Sequence, residues 1–173
     1  SMGYEVHGIL KRNSVAENQT ARLDTIFRHL HLYYGDLNDL SSLISVLQKV
    51  EPDEVYSLAA QSHVRISFDI PIYTAATTGM GILNLFEACR LTCPKAKIYQ
   101  ASSSEMFGNE IDEDGFQRET TRMNPVSPYG CAKVFAYNIA RNYRNAYGMF
   151  ISNGILFNHE SPRRGSNFVT SKI

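Results

Sequence analysis

The chain has 173 residues, 43% apolar and 20% charged, enough to bury one core and unlike the composition of a disordered segment. Seventeen basic residues match seventeen acidic ones, for a formal net charge of zero, which excludes the basic footprint of a nucleic-acid binder and a polybasic membrane patch. No apolar run approaches the ~20 residues of a spanning helix, and three cysteines (Cys89, Cys93 and Cys131) are too few for a disulfide framework, which predicts a reduced, cytoplasmic setting.

Glu5 to Leu10 predicts a first strand, followed by a polar stretch from Lys11 to about Leu23. Leu30 to Tyr34 predicts a second strand, turned by Gly35-Asp36. From Asp39 to Val50, Leu40, Leu43, Ile44 and Leu47 recur at helical spacing, and Pro52-Asp53 ends that helix. Glu54 to Ala60 predicts a third strand. A helix over 73–93 turns Ile82, Leu83, Leu85, Phe86 and Cys89 inward and closes at Pro94. Lys97 to Ala101 predicts a fourth strand, ahead of the hydroxyl run Ser102-Ser103-Ser104. A polar loop over 109–126 carries Glu110, Asp112, Glu113 and Asp114. Ser127-Pro128 opens a helix to about Tyr147, and Phe150 to Phe157 predicts a fifth strand.

Strands separated by helices through short connections predict an α/β fold, a Rossmann-like, doubly wound parallel sheet in one domain over 1–173. Such folds open on a strand and a Gly-rich turn, but no G-x-G-x-x-G occurs, and Gly79-Met80-Gly81 falls inside a predicted helix. The expectation is a Rossmann-type domain that lacks its first strand and Gly-rich turn, and that ends where a substrate lobe would start.

Tyr129 and Lys133, four residues apart, share one face of the helix opened by Ser127. A cation beside a phenol favours the phenolate, so this pair predicts a general base or acid with a pKa below ~10. A Y-x-x-x-K match alone is weak, since two such residues also occur by chance on a packed helix. Ser103, Ser104 and Glu105 follow a strand at the edge where α/β sheets bind ligands. There a hydroxyl can hold a substrate hydroxyl and a carboxylate can remove a proton; a helix cap and a solvated carboxylate are the plainer readings. Lys11 and Arg12 stand after the first strand, where basic residues favour a 2′-phosphate, hence NADP over NAD; a solvated basic pair is equally consistent with the residues alone. The loop from Asn158 to Gly165 packs His159, Arg163 and Arg164, groups that can grip a diphosphate. The histidines show no metal spacing, and Cys89 and Cys93, on one helix side, read as packed thiols.

The run Asn153-Gly154-Ile155-Leu156-Phe157-Asn158-His159-Glu160-Ser161-Pro162-Arg163-Arg164-Gly165, continuing through Asn167-Phe168-Val169-Thr170, resembles the GDP-mannose 4,6-dehydratase family of extended short-chain dehydrogenases. So do Gly3 to Ile9, Gln61 to Asp69, and Ser127-Pro128-Tyr129-Gly130 with Lys133. The likeness spans essentially the whole chain. It implies an NADP-dependent lyase acting on GDP-D-mannose, with hydride passing out from the sugar C4 and back to C6. It further implies Tyr129 as base, Lys133 on the nicotinamide ribose, Glu105 as the group that removes the C5 hydrogen, and Ser103 in a hydroxyl position where the family usually has Thr. For the cofactor the resemblance points to Lys11, Arg12, Asn13 and Ser14 by the 2′-phosphate, and to Asp36 and Leu37 by the adenine. It points further to Leu58, Ala59, Ala60, Gln61 and Ser62 along the phosphates and ribose, and to Tyr73, His159 and Arg164. For the sugar nucleotide it points to Ser103, Ser104, Glu105, Asn158, Val169 and Lys172. It implies a homodimer or homotetramer, and the residue spacing predicts no metal. Two other readings stand beside it: a nucleotide-sugar epimerase or 4-reductase of the same fold, or an inactive nucleotide-binding fragment. Glu105 separates the first of these, because an epimerase needs no carboxylate to strip C5.

Overall fold

In the computed structural model, which describes residues 3–12, 23, 26–159 and 161, every strand pairing is parallel. Strands β1 (Val6–Leu10) and β2 (Leu30–Tyr34) form one two-stranded sheet, with Val6 opposite Leu30 and Leu10 opposite Tyr34. Strands β3 (Glu54–Ser57), β4 (Lys97–Ser103) and β5 (Ile151–Leu156) form a second sheet in the order β3-β4-β5. Parallel neighbours require crossovers, and helices supply those between β3 and β4 and between β4 and β5. The parallel α/β architecture is therefore the one predicted, laid out as two sheets rather than one.

Helix α1 (Leu40–Val50) starts where Asp39 accepts hydrogen bonds from the backbone N–H groups of Ser41 and Ser42, at 3.0 and 3.3 Å. Two short helices follow β3, α2 (Val64–Asp69) and α3 (Pro71–Thr74), and a π-helical segment (Ala75–Met80) leads into α4 (Gly81–Thr92). The predicted helix over 73–93 is thus longer and broken in winding, and α2 was not expected. Its signals are local: the His63 ring accepts from the Ile66 N–H, and Pro71 occupies the first turn of α3. The start of α4 lies hard against the turn after β2, where a Cβ on Gly81 would stand 2.8 Å from the Leu37 Cβ.

Helix α5 (Pro128–Tyr147) is capped by the Ser127 hydroxyl, which accepts from the Gly130 N–H at 3.0 Å. Leu43 and Leu47 of α1, Ile82, Leu85, Phe86 and Cys89 of α4, and Ala136, Ala140 and Tyr143 of α5 join Ile98 and Ile151 in one core. Ile98 and Ile151 are register partners, so these three helices cover the same face of the second sheet. No helix is long and apolar enough to cross a membrane among the described residues.

Two strand ends move by more than one residue relative to the sequence expectation, for one reason. β3 meets only the first half of β4, the last pair being Ser57 with Gln100, so Leu58 to Ala60 leave the sheet. β4 keeps β5 as a partner through Ser103 opposite Leu156, so Ser102 and Ser103 are strand residues, not a turn. Pairing sets these boundaries, and side-chain pattern does not reveal it.

Candidate active site

The carboxyl end of β4 and the amino end of α5 meet. Ser103 closes the strand, and its hydroxyl accepts from the Glu105 N–H at 3.2 Å, folding Ser104–Met106 into a 3-10 turn. That turn lies against the first turn of α5. A Cβ on Gly130 would fall 2.7 Å from the Glu105 carbonyl oxygen and 2.9 Å from the Pro125 Cβ, so only glycine permits the approach. Tyr129 precedes this glycine, which brings the Glu105 turn and the tyrosine together. Ser103, Tyr129 and Lys133 are 9%, 8% and 4% exposed.

The ammonium of Lys133 donates to the Ala101 carbonyl at 2.7 Å and sits 5.7 Å from the centre of the Tyr129 ring. This overturns the expected electrostatics of the pair. Burial raises the Tyr129 pKa above its ordinary value; a hydrogen bond with Ser103 pulls it down and the Glu105 charge pushes it up. Burial also brings Lys133 down to about 8. Desolvation governs the phenol, and the Lys133 ammonium is directed at a backbone carbonyl. Sequence spacing shows that two residues share a helix face, not which oxygen the lysine reaches.

A second group of predicted residues gathers beyond the ends of β1 and β2. Lys11 lies 3.1 Å from the Asp36 carboxylate and donates to the Tyr73 hydroxyl at 3.1 Å. The Tyr73 and Asp36 contacts raise the Lys11 pKa, and the same lysine lowers that of Tyr73. Asp36 is held below the usual carboxylate range first by the Asn38 N–H and then, against some burial, by Lys11. Arg12 lies over the Tyr34 ring, 4.4 Å from its centre. Leu37 is half-buried beside them.

The segment from Leu58 to Ser62 runs out from β3, with Leu58 64% exposed and Ala59 and Ser62 also exposed. Gln61 anchors it: its N–H donates to the Thr78 hydroxyl at 3.1 Å, and its side-chain oxygen accepts from Thr74 at 3.2 Å. Asn38 donates to Thr77 at 3.0 Å. The buried Thr74, Thr77 and Thr78, in and just before the π-helical segment, thus tie the turn after β2 and the 58–62 segment to one helical run, a role sequence reasoning missed. The visible signal was the Thr77-Thr78-Gly79 run early in the predicted helix.

Asn158 and His159 are exposed just past β5, and the His159 Nδ1 lies 2.8 Å from the Phe157 carbonyl oxygen. Asn13, Ser14, Arg164, Val169 and Lys172 lie outside the described residues. The acidic run over 110–114 closes its own loop, with Arg118 paired to Asp112 and Asp114 at 3.0 and 2.6 Å.

The family model for GDP-mannose 4,6 dehydratase matches residues 1–173. The chain belongs to this family. Its curated relatives include the GDP-mannose 4,6-dehydratase of Vibrio cholerae, 53% identical over 99% of the chain and 47% of the relative, and that of Homo sapiens, 49% identical over 99% and 48%. The chain spans about half the length of the curated relatives it matches. Among solved structures, it resembles the dTDP-glucose 4,6-dehydratase DesIV of Streptomyces venezuelae with a TM-score of 0.82 at 23% identity, over 96% of this chain and 51% of that one. It also resembles a Brucella ovis UDP-glucose 4-epimerase in complex with NAD, with a TM-score of 0.73 at 27% identity, covering 87% and 44%. These likenesses bear out the Rossmann-type dehydrogenase fold expected from the strand and helix order.

Proposed function

We propose that the protein containing this chain is an NADP-dependent GDP-mannose 4,6-dehydratase, converting GDP-D-mannose to GDP-4-dehydro-6-deoxy-D-mannose and water. The observation that carries this is the close packing of the Glu105 turn on the Tyr129 turn, with no room for a Cβ at Gly130. It sets a carboxylate beside a hydroxyl, a phenol and a lysine at one sheet edge, where an epimerase would need no carboxylate.

The chain's own groups fit a nicotinamide dinucleotide. Lys133 is buried and uses one of its three N–H donors among the described residues, on Ala101; the rest suit ribose hydroxyls. The Ser57 hydroxyl, at the end of β3, is buried with no partner there. Lys11 and Arg12 bring positive charge to the adenosine side, which suits a 2′-phosphate. A nicotinamide dinucleotide held by these groups would supply reversible hydride transfer.

Ser103 holds the C4 hydroxyl and Tyr129, acting as the phenolate although burial holds its pKa above the ordinary value, takes its proton as C4 becomes a ketone. The ketone acidifies the C5 hydrogen, which Glu105 removes as the C6 hydroxyl departs. Lys133 orients the nicotinamide ribose. Asp36, Leu37, the 58–62 segment, Tyr73 and His159 are assigned to the dinucleotide, as are Asn13, Ser14 and Arg164 on the family resemblance. Ser104, Asn158, Val169 and Lys172 serve the sugar nucleotide. The working protein is a cytoplasmic homodimer or homotetramer; exposed Met80, Leu91, Phe135 and Tyr147 on the helical side are apolar surface an assembly would bury.

Incubating the whole protein with GDP-mannose and NADP, and following the product by mass and carbon NMR, tests this. A 4-keto-6-deoxy product lighter by one water is expected. A C4 epimer of unchanged mass would favour the epimerase reading, and no turnover would favour a nucleotide-binding role alone.

A further inference from the structure

Two cations were expected to share recognition of the 2′-phosphate, but they are held differently. Lys11 is committed: its ammonium lies 3.1 Å from both the Asp36 carboxylate and the Tyr73 hydroxyl. A phosphate approaching it must compete with a carboxylate already in place, or share its charge. Arg12 has no carboxylate partner among the described residues. Its guanidinium lies 4.4 Å from the centre of the Tyr34 ring.

The backbone explains that contact. Leu10 is the register partner of Tyr34, and the ladder continues one step further, with the Gly35 N–H donating to the Leu10 carbonyl at 3.0 Å. Arg12, two residues past Leu10, therefore runs out alongside Tyr34. The ring itself is 59% exposed. A guanidinium lying over a phenol ring keeps its N–H edges free to fork onto phosphate oxygens.

We propose that Tyr34 is a positioning residue for cofactor selectivity: its ring holds Arg12 as the discriminating cation for the 2′-phosphate, while Lys11 chiefly fastens the Asp36 turn to Tyr73. This rests on the NADP reading and narrows it. Lys11 and Arg12 are adjacent in sequence and equal in charge, yet the fold gives them unequal work.

The test is a set of dissociation constants for NADP and NAD, measured by calorimetry on the whole protein, with NAD as the internal control for an intact site. Arg12→Gln should weaken NADP binding about 10- to 100-fold, the worth of a charge-assisted hydrogen bond. Tyr34→Leu should lower the NADP preference about two- to fivefold, the scale of an exposed cation–ring contact, with NAD binding retained. Tyr34→Phe keeps the ring and should restore the parental preference. Lys11→Met should lower the preference less than Arg12→Gln does. The inference is overturned if Tyr34→Leu leaves the preference intact, if Tyr34→Phe loses as much as Tyr34→Leu, or if Lys11→Met costs as much as Arg12→Gln. A parent with no preference for NADP would instead overturn the cofactor reading on which this stands.

Discussion

The ends of β4 and β1 are both carboxyl edges of parallel strands, yet they are finished in opposite ways. At the end of β4 most of the polar groups are buried: Ser102, Ser103, Tyr129 and Lys133 are all under 10% exposed, with Ser104 and Glu105 half-buried beside them. Past β1 they stand in solvent: Lys11 and Arg12 are exposed, and Asp36 is only partly covered. The contrast follows from what each edge is proposed to do. Proton transfer gains from a dry site where charges are strongly felt, whereas recognition of a phosphate needs cations that a soluble ligand can reach. The dry edge accordingly carries shifts caused by burial, and the wet edge carries shifts caused by partners.

The largest expected effect lies at the dry edge. Tyr129→Phe keeps the ring's packing and removes the ionisable oxygen, and loss of one positioned acid–base group costs on the order of 10²–10⁴ in rate. Turnover should fall by that much while circular dichroism and NADP binding stay near parental. Retained turnover would remove Tyr129 from the mechanism, and an unfolded variant would mark it as a packing residue.

Lys133 tests the same burial through stability. Its pKa is near 8 in the fold against an ordinary 10.5, so between those values the unfolded chain holds a proton that the folded chain has released. Stability from this group therefore rises with pH across that window, by on the order of 3 kcal/mol. Lys133→Met lacks the rise. The gap in unfolding free energy between parent and variant should move in the parent's favour from pH 7 to pH 10, as measured by urea unfolding. A constant gap would mean the ammonium is not desolvated.

The cap of α5 comes next. Ser127→Ala leaves the Gly130 N–H unpaired and should cost ~1 kcal/mol, about 2–4 °C in melting temperature for a chain of this size. Because Tyr129 sits in the capped turn, turnover should fall further than stability alone accounts for. Ser127→Gly, a tolerable cap, should cost only a few tenths. Equal losses for alanine and glycine would show that the hydroxyl is not the relevant partner.

These contrasts were unevenly legible in the sequence. Element order and the parallel fold were readable because apolar spacing and Pro/Gly punctuation are local signals. Tyr129, Lys133 and Glu105 were readable as candidates because the chain places them at strand and helix ends. What they do to one another was not. The Lys133 contact with Ala101 spans 32 residues, and the direction of the Tyr129 shift depends on burial that no spacing reveals. The same holds for the threonines that anchor Gln61 and for Tyr34 beneath Arg12, which become neighbours only once strand register is fixed. The reach of β4 to Ser103 was hidden likewise, since it depends on β5, about 50 residues later.

The smallest expected effect belongs to the wet edge. Lys11→Met removes the ion pair with Asp36, whose side chains are 50% and 30% exposed. Solvent screens such a pair, so the loss should stay well under about 1 kcal/mol. The pH window has two sides. Lys11 is raised in the fold, so its contribution is complete below about 10.5 and is lost as pH climbs through the folded value; Asp36 is lowered, so its contribution is complete above about 3.8 and is lost as pH falls through its own. The first cause of the Asp36 shift is the Asn38 N–H, not Lys11. In Lys11→Met the carboxylate should therefore still titrate below its ordinary value, which carbon-detected NMR of Asp36 would read. The stability loss itself should shrink in 1 M salt, where charges more than ~3 Å apart are screened. A loss that persists at high salt would assign the cost to the packing of the lysine stem against Tyr73 rather than to its charge, and the wet edge would then resemble the dry one more than its exposure implies.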